Sequence, residues 1–432
     1  MRAWGYVFVV LYTSLQGWLV SSAPLVPSES VGAKSDSCRV HTFYYMWYGE
    51  PKTDGKYLHW NHEVLPHWRV KENMKYNSII GRRFEPPDEV HSPFYPERGP
   101  YSSSDPTVLD SHMKDMKKAG ICMAVLSWWG QADREATHDT QGVQTDLVIE
   151  HVIKAAERSG ISVSFHLEPY HGRSASSVLE DVDYLMKRFG DSNALYRASD
   201  GRPMFYVYDS YHVGSIDWKN AFAAVRGTDA DFIAIALWLN GDGGQLAKEG
   251  GFDGVYTYFA SESFSHGSTT KNWKNIKRFC SENNLLFIPS VGPGYDDRGI
   301  RPWNFHNSKS REEGKYYDRM WKSAIESEPD AVSITSFNEW GEGTQIEAAV
   351  PKSIRGTQVN IVDPTQRHEG EDAREYKSYE SEGSPNYYLD RTRYWGKKLY
   401  QFEKKKRQRI PLLEREKARE KLEAEGLAKL EL

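Results

Sequence analysis

Short apolar runs alternate with amphipathic helical patterns along most of this chain. Runs bounded by turn residues and rich in β-branched and aromatic side chains fall at 41–47, 121–128, 161–167, 204–208, 232–238, 254–258, 285–290 and 331–337, and each reads as a buried strand. The helices between them have legible ends. Asp105 and Pro106 supply an N-cap and a first helical residue, Leu109, Met113 and Met116 recur on one face, and Gly120 stops the pattern. Leu147, Val148, His151, Val152 and Ala155 form a second stripe that ends at Gly160. Eight strands alternating with helices predict an α/β fold, a (β/α)8 barrel with a single catalytic domain. An open doubly wound sheet would need a glycine-rich phosphate turn after its first strand, and here Tyr48, Gly49 and Glu50 follow.

Two connections are far longer than the usual handful of residues: 49–104, rich in Pro, Tyr, Trp and His, and 341–388. Both leave the carboxyl ends of strands, the face on which a barrel carries its chemistry. Outside the barrel, Arg2 precedes an apolar run over 6–20 and then Ser21, Ser22 and Ala23, the layout of a signal peptide or signal anchor over 1–23. The divisions that follow are a short stem at 24–39, the barrel at 40–395 and a charged tail at 396–432, helical or frayed. Entry into the secretory pathway is expected, either as a Golgi-lumen protein held by that segment or secreted after cleavage, although the chain holds no Asn-x-Ser/Thr site. Cys38, Cys122 and Cys280 are too few and too scattered for a disulfide framework; buried free thiols are expected, with one bridge as the alternative.

Composition narrows the ligand class. Fourteen Trp and 26 Tyr exceed what core packing asks for, and aromatic faces suit the C–H faces of sugars. A net charge of −5 argues against a nucleic-acid partner. The chemistry concentrates in ITSFNEWGEGTQIEA at 334–348, where an apolar strand delivers Glu339, Glu342 and Glu347 into a loop of glycines and aromatics. Glu339 and Glu342, three residues apart beyond a strand end, are placed to serve one glycosidic bond, which needs an acid for the departing oxygen and a second carboxylate as nucleophile or base. Trp340 between them is placed to keep water from one carboxyl and raise its pKa. Glu168, Tyr170 and Arg173 end the third strand and are candidates for sugar hydroxyls, with a Glu168–Arg173 pair as the alternative. Trp128 and Trp129 end the second strand, one to stack on a sugar and one to join the core. His59, His62 and His67 match neither zinc-protease order, so no metal or cofactor is expected.

These segments together resemble glycoside hydrolase family 99, the endo-α-1,2-mannosidases: FYYMWYG at 43–49, WNH at 60–62, SWWG at 127–130, EPYHGR at 168–173, VGPGYDDRGIRPWN at 291–304 and NEWGEGTQIE at 338–347, collinear from about 40 to 395. The resemblance implies a retaining endo-enzyme, acting as a monomer on the internal α-1,2-mannosidic bond of glucosylated high-mannose N-glycans. It implies Glu339 as base on the substrate's own 2-hydroxyl, giving a 1,2-anhydro sugar, and Glu342 as acid and then base toward water. Tyr45, Trp60, His62, Trp128, Trp129, Glu168, Tyr170, Arg173, Tyr256, Tyr258, Asn338 and Trp340 are the substrate-binding candidates. The chain departs from the family pattern at Gly341, where His is common, and at Ala348, where Pro is frequent. The alternatives are a barrel glycosidase of another linkage and a carbohydrate binder without catalysis.

Overall fold

The computed structural model describes residues 38–355 and 373–428, apart from 135, 136, 140, 377 and 380–382. The leader or anchor at 1–23 and nearly all of the stem lie outside the described residues. Strands β1 (Val40–Tyr44), β2 (Met123–Trp128), β3 (Ser162–Leu167), β4 (Met204–Val207), β5 (Ile233–Leu237), β6 (Gly254–Tyr256), β7 (Leu286–Ile288, resumed beyond Pro289 as Ser290–Val291) and β8 (Val332–Ile334) are those the apolar runs predict. All pairings among them are parallel. The sheet runs from the first half of β7 back through β6, β5, β4, β3, β2 and β1 to β8, and β8 pairs with the second half of β7. Both ends are thus the same strand, and the sheet closes into a barrel.

Proline cannot donate to a ladder, so β7 breaks at Pro289, and hydroxyls carry the pairing past it. Ser290 N–H donates to Thr257 Oγ1 at 2.8 Å, Tyr258 N–H to Ser290 Oγ at 2.7 Å, and Ser290 Oγ meets Ser333 Oγ at 2.8 Å.

Period-two alternation along the strands fills the barrel. Phe43 of β1 meets His166 of β3, Tyr206 of β4 and Tyr256 of β6 with ring centroids 4.7–5.8 Å apart, so these residues point inward, while Tyr44 turns outward to His112. An aromatic interior can be polar if its polar atoms pair: His41 Nδ1 meets the Tyr206 hydroxyl at 2.6 Å, and burial holds the His41 pKa down to about 4. Outside lie α1 (Pro106–Lys118), α2 (Ile149–Ser159), α3 (Ala175–Phe189), α4 (Ser215–Ala223), α5 (Gly243–Gly250), α6 (Trp273–Glu282), α7 (Lys315–Glu326) and α8 (Tyr387–Ala428). Asp105 caps α1 by accepting from Thr107 N–H at 2.8 Å, and Leu109, Met113 and Met116 are buried.

Two sequence readings need correction. Cys38 and Cys122 are disulfide-bonded, and Cys280 alone is a free, buried thiol. Adjacent parallel strands bring together two cysteines that lie 84 residues apart, a pairing no spacing rule reaches. Leu147 is 64% exposed and His151 is exposed, because the segment opens with a 3-10 turn at Thr145–Val148 that shifts the phase. The buried face of α2 is Ile149, Val152, Ile153, Ala155 and Ala156. The tail expected to be helical or frayed belongs to α8, with Tyr388, Leu389 and Leu399 buried.

Candidate active site

Beyond β8 the chain turns through a cis Thr335–Ser336 peptide into the carboxylate loop, which the segment after β1 and Arg311 of the connection after β7 hold. Asn338 is fully buried and spends its amide on the backbone after β1: Tyr45 N–H donates to Asn338 Oδ1 at 2.8 Å, and Asn338 Nδ2 donates to Tyr45 O at 2.9 Å. The Tyr48 hydroxyl donates to Asn338 O at 2.9 Å and accepts from Trp340 N–H at 3.1 Å. Arg311 donates Nη2 to Gly343 O and Gln345 O, each at 2.8 Å, while its guanidinium lies 4.4–4.8 Å from the ring centres of Phe94, Tyr379 and Tyr388. The first of those rings comes from the first long connection, the second from the last connection and the third from α8, so one cation ties three segments to the loop.

The three glutamates of the loop have different fates. Glu347 is fully buried and accepts four donors: His112 Nε2 at 2.8 Å, Tyr101 Oη at 2.7 Å, Trp340 Nε1 at 3.0 Å and Arg98 Nη1 at 3.4 Å. Burial opposes its charge, but His112 and Arg98 outweigh it and hold the carboxyl below its ordinary pKa. Glu347 is therefore a buried anion that fixes the Trp340 indole between the other two acids. Glu339 and Glu342 are both pushed up. For Glu339 burial is the largest cause and Glu342 the next, with Arg301 opposing. For Glu342, whose side chain is 24% exposed, burial leads, Arg301 opposes, and buried Asp297 adds repulsion. Arg301 Nη1 lies 3.4 Å from Glu342 Oε1 and 3.2 Å from Asp297 Oδ2. Gly341 N–H donates to Glu339 Oε1 at 2.8 Å, and Glu339 N–H to Ser336 Oγ at 2.7 Å.

The neighbouring strand ends carry further polar side chains joined by hydrogen bonds. Glu168 Oε1 accepts from Ser127 Oγ at 2.8 Å and from His166 Nδ1 at 2.7 Å, and His166 Nε2 accepts from the Tyr256 hydroxyl at 2.7 Å. The Tyr45 and Tyr258 hydroxyls meet, and Tyr258 holds a left-handed backbone, φ 53°, a conformation non-glycine residues seldom adopt and functional sites often contain. Electrostatics joins these side chains to the acids: Glu168, Glu339 and Glu342 each disfavour ionisation of Tyr45, whose pKa burial already raises.

Other predicted residues form the wall behind this surface. Trp60, Trp128, Tyr256 and Trp340 are fully buried; Trp60 Nε1 donates to Tyr101 O at 2.7 Å and Trp128 Nε1 to Asp146 Oδ1 at 2.8 Å. Of the tryptophan pair, Trp129 is the partly exposed member, 6.5 Å from Trp47. Arg173 neither pairs with Glu168 nor offers its fork outward; it donates to Leu167 O at 3.2 Å and Asp209 O at 2.9 Å, clasping two strand ends. The Tyr170 hydroxyl donates to Asp181 Oδ2 at 2.5 Å and meets Ser177 Oγ at 2.7 Å. His62 donates Nδ1 to Glu63 O at 2.7 Å, and burial lowers its pKa to about 4. His59 pairs with Asp139, while His67 stacks on Trp68 at 3.8 Å. Sequence reading passed over Arg301 and Asp297, although both stand in the 291–304 segment.

Comparison with known proteins agrees with this geometry. Residues 36–401 match the model of glycosyl hydrolase family 99. The chain is 45% identical over 346 residues to the glycoprotein endo-alpha-1,2-mannosidase-like protein of Mus musculus, covering 77% of this chain and 75% of that protein. It is 42% identical to the glycoprotein endo-alpha-1,2-mannosidase of the same species, covering 83% and 74%. Among solved structures, the family 99 endo-alpha-mannosidase of Bacteroides thetaiotaomicron superposes with a TM-score of 0.72 at 37% identity, covering 84% of this chain and 98% of that one.

Proposed function

The chain belongs to glycosyl hydrolase family 99, a glycoside hydrolase acting on mannose glycans, and from that premise we propose that it is a retaining endo-α-1,2-mannosidase of N-glycan processing. The bond cut is the internal α-1,2-mannosidic bond of a glucosylated high-mannose glycan, and the product is glucosyl-mannose. The observation that carries this reading is the Glu339–Glu342 pair at the carboxyl end of β8, a buried Glu339 whose pKa is raised by burial and by Glu342, beside a partly exposed Glu342 that Arg301 steadies. Acid and base work needs one protonated and one ionised carboxyl side by side, and two neighbouring carboxyls with raised pKa values suit that division.

In the proposed sequence Glu339 removes the proton from the 2-hydroxyl of the sugar bearing the scissile bond. The freed O2 attacks C1, the C1–oxygen bond to the departing sugar breaks, and Glu342 gives its proton to that oxygen. Water then adds to C1 of the 1,2-anhydro sugar and yields a proton to Glu342, while O2 regains its proton from Glu339. Two displacements at C1 leave the configuration retained. Tyr45, Tyr258, Glu168 and Trp129 face the sugar in this reading; Asn338, Trp60, Trp128, Trp340 and Arg173 brace the residues that do. The Cys38–Cys122 disulfide supports passage through an oxidising compartment, and we assign the protein to the Golgi lumen or the secreted fraction. No helix among the described residues is long and apolar enough to cross a membrane.

Incubation with a glucosylated high-mannose glycan should release a disaccharide and leave a glycan shortened by two sugars. Release of single mannose, or of nothing, contradicts the proposal. Glu342→Gln is expected to keep glycan binding and to lose turnover by about 10²-fold or more.

A further inference from the structure

Arg301 faces two carboxyls and spends one nitrogen on both. Its Nη1 lies 3.2 Å from Asp297 Oδ2 and 3.4 Å from Glu342 Oε1. One turn of chain sets this up, because Ile300 N–H and Arg301 N–H donate to Asp297 O at 2.9 and 2.7 Å, and side chains four apart on such a turn meet. The same loop holds Glu342, whose carbonyl accepts from Asp296 N–H at 2.8 Å.

The two carboxyls do not compete equally for the cation. The Asp297 side chain is fully buried, and its Oδ2 also accepts from Asn304 Nδ2 at 2.9 Å and from the Tyr295 hydroxyl at 3.0 Å. Three donors converge on that oxygen, whereas among the described residues the Glu342 carboxyl has one side-chain donor, Arg301. Burial pushes both carboxyls up, and one guanidinium offsets the charge of one carboxylate. Donors favour the ionised form of the carboxyl that receives them. Asp297 is therefore the anion that Arg301 matches, and Glu342 is left with the proton.

The other groups around Glu342 favour the same division. Glu168 repels charge on it, and Tyr45, Tyr208, Tyr258 and Tyr295 are neutral phenols, held well above their ordinary pKa chiefly by burial. His62 is neutral near pH 7, and Asp296 is paired with Arg298 at 2.7 Å. A proton on Glu342 also removes the repulsion between the two acids, while Arg301 continues to favour an ionised Glu339.

We propose that Asp297 is a positioning residue for the acid: it holds Arg301 on the nitrogen that the cation shares with Glu342, and so leaves the proton of the cluster on Glu342. The inference rests on Glu342 being the acid.

Two measurements on the full chain test it. In the first, carboxyl carbon NMR of protein labelled in its Asp and Glu side chains reads the cluster without substrate, with Glu342→Gln and Asp297→Asn assigning the two signals. At about pH 6, above the ordinary carboxyl range of about 4, Asp297 is expected to be the carboxylate and Glu342 the acid. Asp297→Asn leaves Arg301 wholly to Glu342, so the Glu342 midpoint should fall by about one pH unit or more, and Asp297→Glu should keep it near that of the parent. A Glu342 already ionised at about pH 6 in the parent overturns the proposal, and that reading stands even if Asp297→Asn fails to fold. A midpoint unmoved by Asp297→Asn overturns it equally. In the second, kcat/KM against pH is followed on an α-1,2-linked manno-oligosaccharide, where the basic limb reports the acid. Asp297→Asn should move that limb to lower pH by the same shift, since an acid with a lower pKa loses its proton sooner, and Asp297→Glu should restore it. A limb left in place by Asp297→Asn overturns the proposal. A protonated Glu342 that depends on Asp297, in a protein that cleaves no mannoside, would leave the division standing and sink the functional reading instead.

Discussion

Glu339 and Glu347 lie eight residues apart on one loop and obey opposite rules. Glu347 is surrounded by donors and is stabilised as an anion; Glu339 is buried beside another carboxyl and is destabilised as one. Opposite signs in stability follow. A carboxyl whose folded pKa is raised costs stability as pH rises above its unfolded value of about 4.3, so Glu339→Gln should melt higher than the parent at pH 7, the gain vanishing as pH falls toward 4. A carboxyl whose folded pKa is lowered contributes above that value and loses the contribution as pH falls through the folded pKa. Glu347→Gln should therefore melt lower at pH 7, by an amount corresponding to about 3–5 kcal/mol for a broken buried ion pair. Thermal melts of both variants at several pH values check this; a destabilised Glu339→Gln would contradict the strained pair.

The elements were largely legible because their signals are local. Each of the eight strands is an apolar run closed by turn residues, and α1 announces its start with Asp105 and Pro106. The site was legible wherever the same local rule placed a residue, as with Glu339 and Glu342 at the end of β8 or Glu168 at the end of β3. Arg301 and Asp297 were not, since they reach the carboxylates from a connection whose course no periodicity predicts. The same limit hid the disulfide, which depends on β1 and β2 lying side by side. That bond closes a long loop joining the start of the barrel to its second strand. Cys122→Ser should cost about 4 kcal/mol by chain-entropy reasoning, measured as a lower denaturation midpoint, while thiol titration of the denatured, unreduced parent should find Cys280 alone. Equal midpoints would show the link to be dispensable.

At the scale of the molecule, the barrel is a frame that brings two distant connections together. Residues 95–96 pair with 349–350, Tyr376 donates its hydroxyl to Val90 O at 3.1 Å, and the Tyr101 hydroxyl reaches Glu347. The first connection contributes His62, the last contributes the acids, and the loop after β7 contributes Arg301; none of these acts alone. The central claim is that this frame presents one acid and one base to an α-1,2-mannosidic bond in two successive displacements. Its most direct test is proton NMR of the reaction as it runs, reading the anomeric signal of the first glucosyl-mannose released. An α anomer appearing first and then mutarotating is the expected result, and a β anomer appearing first would contradict the account.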